Sequence, residues 1–360
     1  MRISCRNFCI LIILWIICFA IGACSQNSTY PPLSLQGENL LSLKWSHQLT
    51  DTITDLSGTN LNSILAQTTN TLYSLDPVTG EEQWKLTLSN QLTLSPAIAV
   101  GDHIYITDNK FLYALNQRNG YIIWRQPMSV PNAWVVSGSE NLVIVNQPSE
   151  SINVYDSRTG SLLWDKLTGR GPVTAYSDQK LVYILDEGIS AFDWSTGNFR
   201  WVIGSDVIGA SDYQENTIFY TTGVSSEENV NRIIAFNTNS QNELWEKKVQ
   251  GSGFIKIKAF DNALIVYNMD YIYALNKING NLIWQVRITS PINPTEIGNT
   301  LYVMGGFNRV LYSLNIETGK QIGSQKVAPS RILLADDQEM ISSQDLLILF
   351  KNNEIYTYGK

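Results

Sequence analysis

LYALNQRNGYIIW, from Leu112 to Trp124, decides the fold, because six further segments align with it without a gap. They are LYSLDPVTGEEQW (Leu72–Trp84), INVYDSRTGSLLW (Ile152–Trp164), ISAFDWSTGNFRW (Ile189–Trp201), IIAFNTNSQNELW (Ile233–Trp245), IYALNKINGNLIW (Ile272–Trp284) and LYSLNIETGKQIG (Leu311–Gly323). Each copy reads as a β-hairpin: an alternating strand, an Asx residue, a turn with Thr-Gly or Asn-Gly, and a second strand that opens near tryptophan. The Asx side chain caps the turn backbone and the glycine supplies positive φ. The fifth copy carries Gln241 in place of glycine, which predicts a distorted turn, and the seventh carries Gly323 in place of tryptophan.

Successive copies start 40, 40, 37, 44, 39 and 39 residues apart. A period near 40 is that of a propeller blade. Upstream of the hairpins lies a second pair of short strands, as in SPAIAVGDHIYITDN, GPVTAYSDQKLVYILDE and SPINPTEIGNTLYVMGG. Four short strands per repeat is the blade arithmetic. The 44-residue spacing is assigned to an insertion at Gly223–Asn231.

The termini complement each other. After the seventh hairpin, three strands are expected near Arg331–Asp336, Asp345–Phe350 and Glu354–Tyr358, with no tryptophan strand to follow; Leu41–His47 holds Trp45, 39 residues before Trp84. An N-terminal strand that closes the C-terminal blade removes both open edges of the ring. The expectation is all-β: an eight-bladed β-propeller of four-stranded antiparallel blades closed by an N-terminal strand, with a seven-bladed ring plus a terminal hairpin as the alternative. Trp45, Trp84, Trp124, Trp164, Trp201, Trp245 and Trp284 then read as blade core.

The first 23 residues carry Arg2 and Arg6, an apolar run from Phe8 to Ala20, and Ile21-Gly22-Ala23 ahead of Cys24. That is the layout of a secretory signal peptide. Ile21-Gly22-Ala23-Cys24 resembles the bacterial lipobox, which implies acylation of Cys24 as the mature N-terminus; a plain signal peptide is the alternative. The predicted organisation is residues 1–23 signal peptide, 24–38 lipidated cysteine and tether, and 39–360 propeller. All four cysteines (Cys5, Cys9, Cys18, Cys24) lie at or before the cleavage point, so no disulfide or cysteine zinc site is expected in the mature domain.

The chain carries a formal charge of −7, and losing two arginines with residues 1–23 makes it −9. A mildly acidic domain without a basic run is unsuited to nucleic acid or anionic lipid, so membrane attachment is expected through acyl chains.

Little points to catalysis. His47 and His103 are the only histidines, and both fall in predicted strands, so a hydroxyl nucleophile has no evident base. No metal-ligand cluster, EF-hand, Walker loop or Rossmann fingerprint is present. If there is a binding face, it is sought at residues that break the repeat: Trp194, inside a turn that should expose it; Trp134, in a predicted innermost strand; and Phe307 and Arg309, in the loop 305–309.

The hairpin consensus resembles the repeats of quinoprotein dehydrogenases, which hold pyrroloquinoline quinone (PQQ) at the centre of an eight-bladed propeller. Those enzymes are longer and carry a vicinal disulfide, so a quinone cofactor is not expected here. In length, lipobox and compact blades the chain is similar to the lipoprotein B-subunit family of the outer-membrane β-barrel assembly machinery (BamB). That resemblance implies a non-catalytic scaffold, a monomeric propeller within a larger complex, docking envelope proteins. It implies the periplasmic face of the outer membrane, which Ser25 permits, or the outer face of the cytoplasmic membrane in a single-membrane organism. A small-molecule or carbohydrate-binding propeller lipoprotein and, further off, a quinone-binding protein are the alternatives.

Overall fold

A computed structural model gives the fold of the chain. It describes residues 41–360 apart from 60–62, 89–93, 109, 148–150, 169–172, 205–207, 226–229, 252, 254, 306–309 and 328–339, and only the backbone of 223–225. The expected signal peptide, Cys24 and tether therefore lie outside the described residues, as do Phe307 and Arg309.

Among the described residues the regular structure is entirely β: eight four-stranded antiparallel sheets, each in simple up-and-down order. Blades 1 to 7 run over Ile53–Thr87, Ile98–Pro127, Trp134–Leu167, Thr174–Ile203, Ile208–Gln250, Lys256–Arg287 and Ile292–Lys326. Blade 8 joins Met340–Ser343, Leu346–Lys351 and Glu354–Gly359 to the N-terminal strand Ser42–Gln48, which pairs antiparallel with the last strand from Ser42↔Gly359 to Gln48↔Glu354. The ring is thus an eight-bladed β-propeller, closed as the termini predict.

The core follows from this geometry. Eight buried apolar clusters lie one at each blade junction. The cluster between blades 8 and 1, for example, joins Ile348 and Ile355 to Ile53, Leu56, Ile64 and Tyr73. The two middle strands of a blade are sandwiched on both sides, so they are buried along nearly their whole length: Ile64–Thr68 and Thr71–Leu75 have no exposed residue. Fourth strands alternate, as Glu82–Thr87 does, because one side packs and the other meets solvent.

The fold refines three expectations. The innermost strand of blade 8 is Met340–Ser343, pairing with Leu346–Leu349, later than the stretch near 331–336, which falls outside the described residues. The insertion assigned to Gly223–Asn231 falls in blade 5, where Thr217–Ser225 and Asn242–Gln250 run to nine residues each and 226–229 lie outside the described residues. The Gln241 turn keeps its cap but not its closing bond: Gln241 adopts φ 55° and Asn237 Oδ1 still accepts the N–H groups of Asn239 and Ser240 at 3.0 and 2.8 Å, whereas the bond from the fifth residue's N–H to the Asx carbonyl, made by glycine in the other six turns, is not made by Gln241 among the described residues.

Candidate functional site

Each tryptophan of the repeat spans a junction. Trp84 of blade 1 donates its indole N–H to the Gln117 carbonyl of blade 2 at 3.0 Å, and its ring lies over the turn glycine of that blade, Gly120. A Cβ at Gly120 would sit 2.6 Å from the ring. Trp45, Trp124, Trp164, Trp245 and Trp284 dock in the same way on Pro77, Ser157, Trp194, Lys277 and Ile316 of the following blade, at 2.6–2.9 Å. The glycine therefore meets two demands at once, positive φ and no side chain beneath the ring.

In five blades the residue after the Asx also ties its turn to the first turn of the same blade. The N–H groups of Gln117, Ser157, Trp194, Thr238 and Ile316 bond the carbonyls of Asp102, Asn141, Lys180, Asn216 and Asn299. Strand order puts both sets of turns on one face of the ring, which is consequently hydrogen-bonded both within and between blades.

On this face, across blades 3, 4 and 5, lies a depression of about 720 Å³ lined by Ser139, Glu140, Asn141, Ser177, Asp178, Gln179, Lys180, Asn216 and Asn239. Asp178 shapes its floor: Oδ1 accepts the N–H groups of Lys180 and Leu181, both at 2.7 Å, and Oδ2 accepts the Tyr183 hydroxyl at 2.5 Å. The bond to Asp178 and burial together push the Tyr183 hydroxyl well above the usual phenol range, burial contributing most. Glu140 also borders a second hollow, of about 400 Å³, with Asp102, His103 and Arg158.

Titratable groups are also found on the innermost strands. The Asp55 carboxyl is pushed up to about 6 by burial, against the opposing pull of the Leu56 and Ala97 N–H groups. Asp212 is likewise raised by burial while accepting from Ala259 N–H at 2.7 Å and Tyr213 N–H at 2.8 Å. Burial lowers Lys258, whose Nζ donates to the Pro294 carbonyl at 3.1 Å. Each of these contacts reaches a neighbouring blade, apart from the local N–H groups of Leu56 and Tyr213.

The residues singled out from sequence do not form one patch. Trp194 belongs to the turn face beside Lys180, but it is half-buried against the Trp164 cluster and not laid bare by its turn. The indole N–H of Trp164 needs the Trp194 carbonyl, so this turn is held tight against blade 3. Trp134 is half-buried at the start of the innermost strand of blade 3, at the end of the strand away from the turn face. Of the blade tryptophans, Trp84, Trp164, Trp245 and Trp284 are buried, whereas Trp45, Trp124 and Trp201 are half-buried. The depression was missed because Ser139, Glu140, Gln179 and Asn216 belong to turns with no unusual residue; one polar inner turn per blade is the only signal.

No cysteine follows Cys24, so the disulfide of the quinone enzymes has no counterpart. Among the described residues, no three His, Cys, Asp or Glu side chains gather as metal ligands.

Comparison with known proteins agrees with the architecture. The outer membrane protein assembly factor BamB of Yersinia pestis is 24% identical over 323 residues, covering 80% of this chain and 79% of that protein. The crystal structure of BamB from Moraxella catarrhalis superposes with a TM-score of 0.64 at 18% identity, over 89% of this chain and 98% of that one. Quinohemoprotein alcohol dehydrogenase from Comamonas testosteroni shares the fold at a TM-score of 0.61 and 10% identity, over 89% and 77%. The profile of the family described as outer membrane protein assembly factor BamB matches residues 68–252 and 186–334, well over half of the sequence, and the chain belongs to that family.

Proposed function

We propose that this protein is a non-catalytic scaffold of the cell envelope, anchored through acylated Cys24, that docks proteins taking part in outer-membrane protein assembly. The observation that carries this reading is the family match along the propeller itself, from residue 68 to residue 334. The lipobox-like Ile21-Gly22-Ala23-Cys24 supports the anchor, and Ser25 fits an outer-membrane destination. A hydrogen-bonded ring of eight closed blades suits a scaffold, since a rigid surface loses little conformational entropy on docking. No cofactor is invoked.

The test is affinity purification of the acylated protein from its native envelope with mass-spectrometric identification. Stoichiometric recovery of an integral β-barrel or of another assembly component is expected. A propeller recovered without partners would overturn the reading.

A further inference from the structure

The depression over blades 3–5 holds polar groups that the fold leaves unused. The side chains of Glu140, Asn141, Gln179, Lys180, Asn216 and Asn239 have no hydrogen-bond or ion-pair partner among the described residues. The Ser177 hydroxyl is buried there without a partner. A buried hydroxyl left unmade costs about 1–3 kcal/mol, and native structures pair most such groups, through water or another bound group where the protein supplies no partner. The volume, about 720 Å³, lies within the roughly 300–1,000 Å³ of ordinary ligand sites.

The lining specifies the chemistry. It contains no aromatic or aliphatic residue, so neither an apolar side chain nor the stacked ring of a sugar has a surface to rest on. Both oxygens of Asp178 are committed within its own blade, to Lys180, Leu181 and Tyr183, which leaves Glu140 and Lys180 as the available charges, one on blade 3 and one on blade 4. Carboxamides from blades 3, 4 and 5 each offer a donor and an acceptor, the complement of a peptide group.

We propose that this depression is a peptide-docking site, taking an extended polar segment of a partner protein with a basic side chain opposite Glu140 and an acidic one toward Lys180. The proposal rests on the scaffold reading above and gives it a surface, built from turns of blades 3 to 5.

The probe is an array of eight-residue peptides in which Lys or Arg and Asp or Glu are placed at every separation, offered to the purified mature protein beside an array of neutral glycans. Binding is then measured in solution by fluorescence anisotropy. Peptides carrying both charges are expected to bind, with Glu140→Gln weakening them tenfold or more and Lys180→Gln abolishing the preference for an acidic residue; both substitutions are at the surface and should leave the melting temperature unchanged. Failure to bind any peptide, binding indifferent to both substitutions, or binding of glycans in place of peptides overturns the proposal. Envelope purification of the wild type and of Glu140→Gln separates the two readings. Partners recovered equally with both, in the absence of peptide binding, sink the docking site and leave the scaffold standing; a partnerless wild type that binds peptides sinks the scaffold alone.

Discussion

The junction between blades 1 and 2 and that between blades 4 and 5 solve one packing problem with different parts. At the first, Trp84 lies on Gly120 and donates to the Gln117 carbonyl. At the second, Trp201 faces a turn with Gln241 in the glycine position, and among the described residues it makes no equivalent bond. Its ring packs against Phe236 and Tyr183, with centroids at 5.8 and 5.9 Å, as docked Trp164 packs on Phe192 and docked Trp124 on Tyr105, but here Tyr213 and Tyr176 continue the stack. A side chain at the fifth position of the turn thus goes with loss of the dock and of the turn's closing bond, while the Asx cap survives, and an aromatic pile fills the junction. Gly323 has a related explanation. The outer two strands of blade 8, Glu354–Gly359 and Ser42–Gln48, are not consecutive in sequence, so no turn joins them on which a seventh-blade tryptophan could dock; the Leu41 backbone is held there by Gln325, at 3.0 and 3.2 Å.

If the dock carries the first junction and the pile the second, the substitutions separate cleanly. Trp84→Ala should cost about 3–5 kcal/mol, and Trp201→Ala, which breaks no indole hydrogen bond, roughly half as much; denaturant midpoints of the two variants check this, and equal losses would erase the distinction. Gly160→Ala places a Cβ 2.6 Å from the Trp124 ring at φ 72° and should cost about 2–4 kcal/mol, measurable as a fall in melting temperature.

The inner strand of blade 1 adds a pH dependence to its junction with blade 2. Between about pH 4 and pH 6 the unfolded chain releases the Asp55 proton while the folded chain retains it. Stability contributed by this group therefore falls as pH rises through that window, by about 3 kcal/mol at most. Asp55→Asn should lose this slope and unfold at a higher temperature than the wild type above pH 6; parallel stability–pH curves for the two proteins would refute it. The smallest effect is expected from restoring the dock. Gln241→Gly relieves a non-glycine residue at φ 55° and opens the space beneath Trp201, a gain of about 1 kcal/mol, seen as a slight rise in melting temperature.

The repeat made most of the fold legible. Asp76, Asn116, Asp156, Asp193, Asn237, Asn276 and Asn315 each cap their turn as the pattern implies, and Trp45 pointed to the closing strand because it keeps the 39-residue spacing. The candidate site was far less legible. Trp194 looked like an exposed anchor when judged by its own turn, yet it supports the Trp164 dock. Nothing in the sequence marks Ser177 or Asn216, since serine and asparagine are ordinary turn residues.

What the sequence by itself determined is whatever repeats within about 40 residues: the hairpin, its cap and glycine, the strand alternation, the number of blades and the complementary ends. These are local, because turn chemistry and side-chain period act between near neighbours. Only the tertiary structure decided what meets across a junction: the indole over the next blade's glycine, the aromatic pile around Trp201 where that dock is missing, the burial of Asp55 beside Ala97, and the polar depression shared by three blades. Those contacts depend on how neighbouring sheets face one another once the ring has closed, and no local periodicity carries that information.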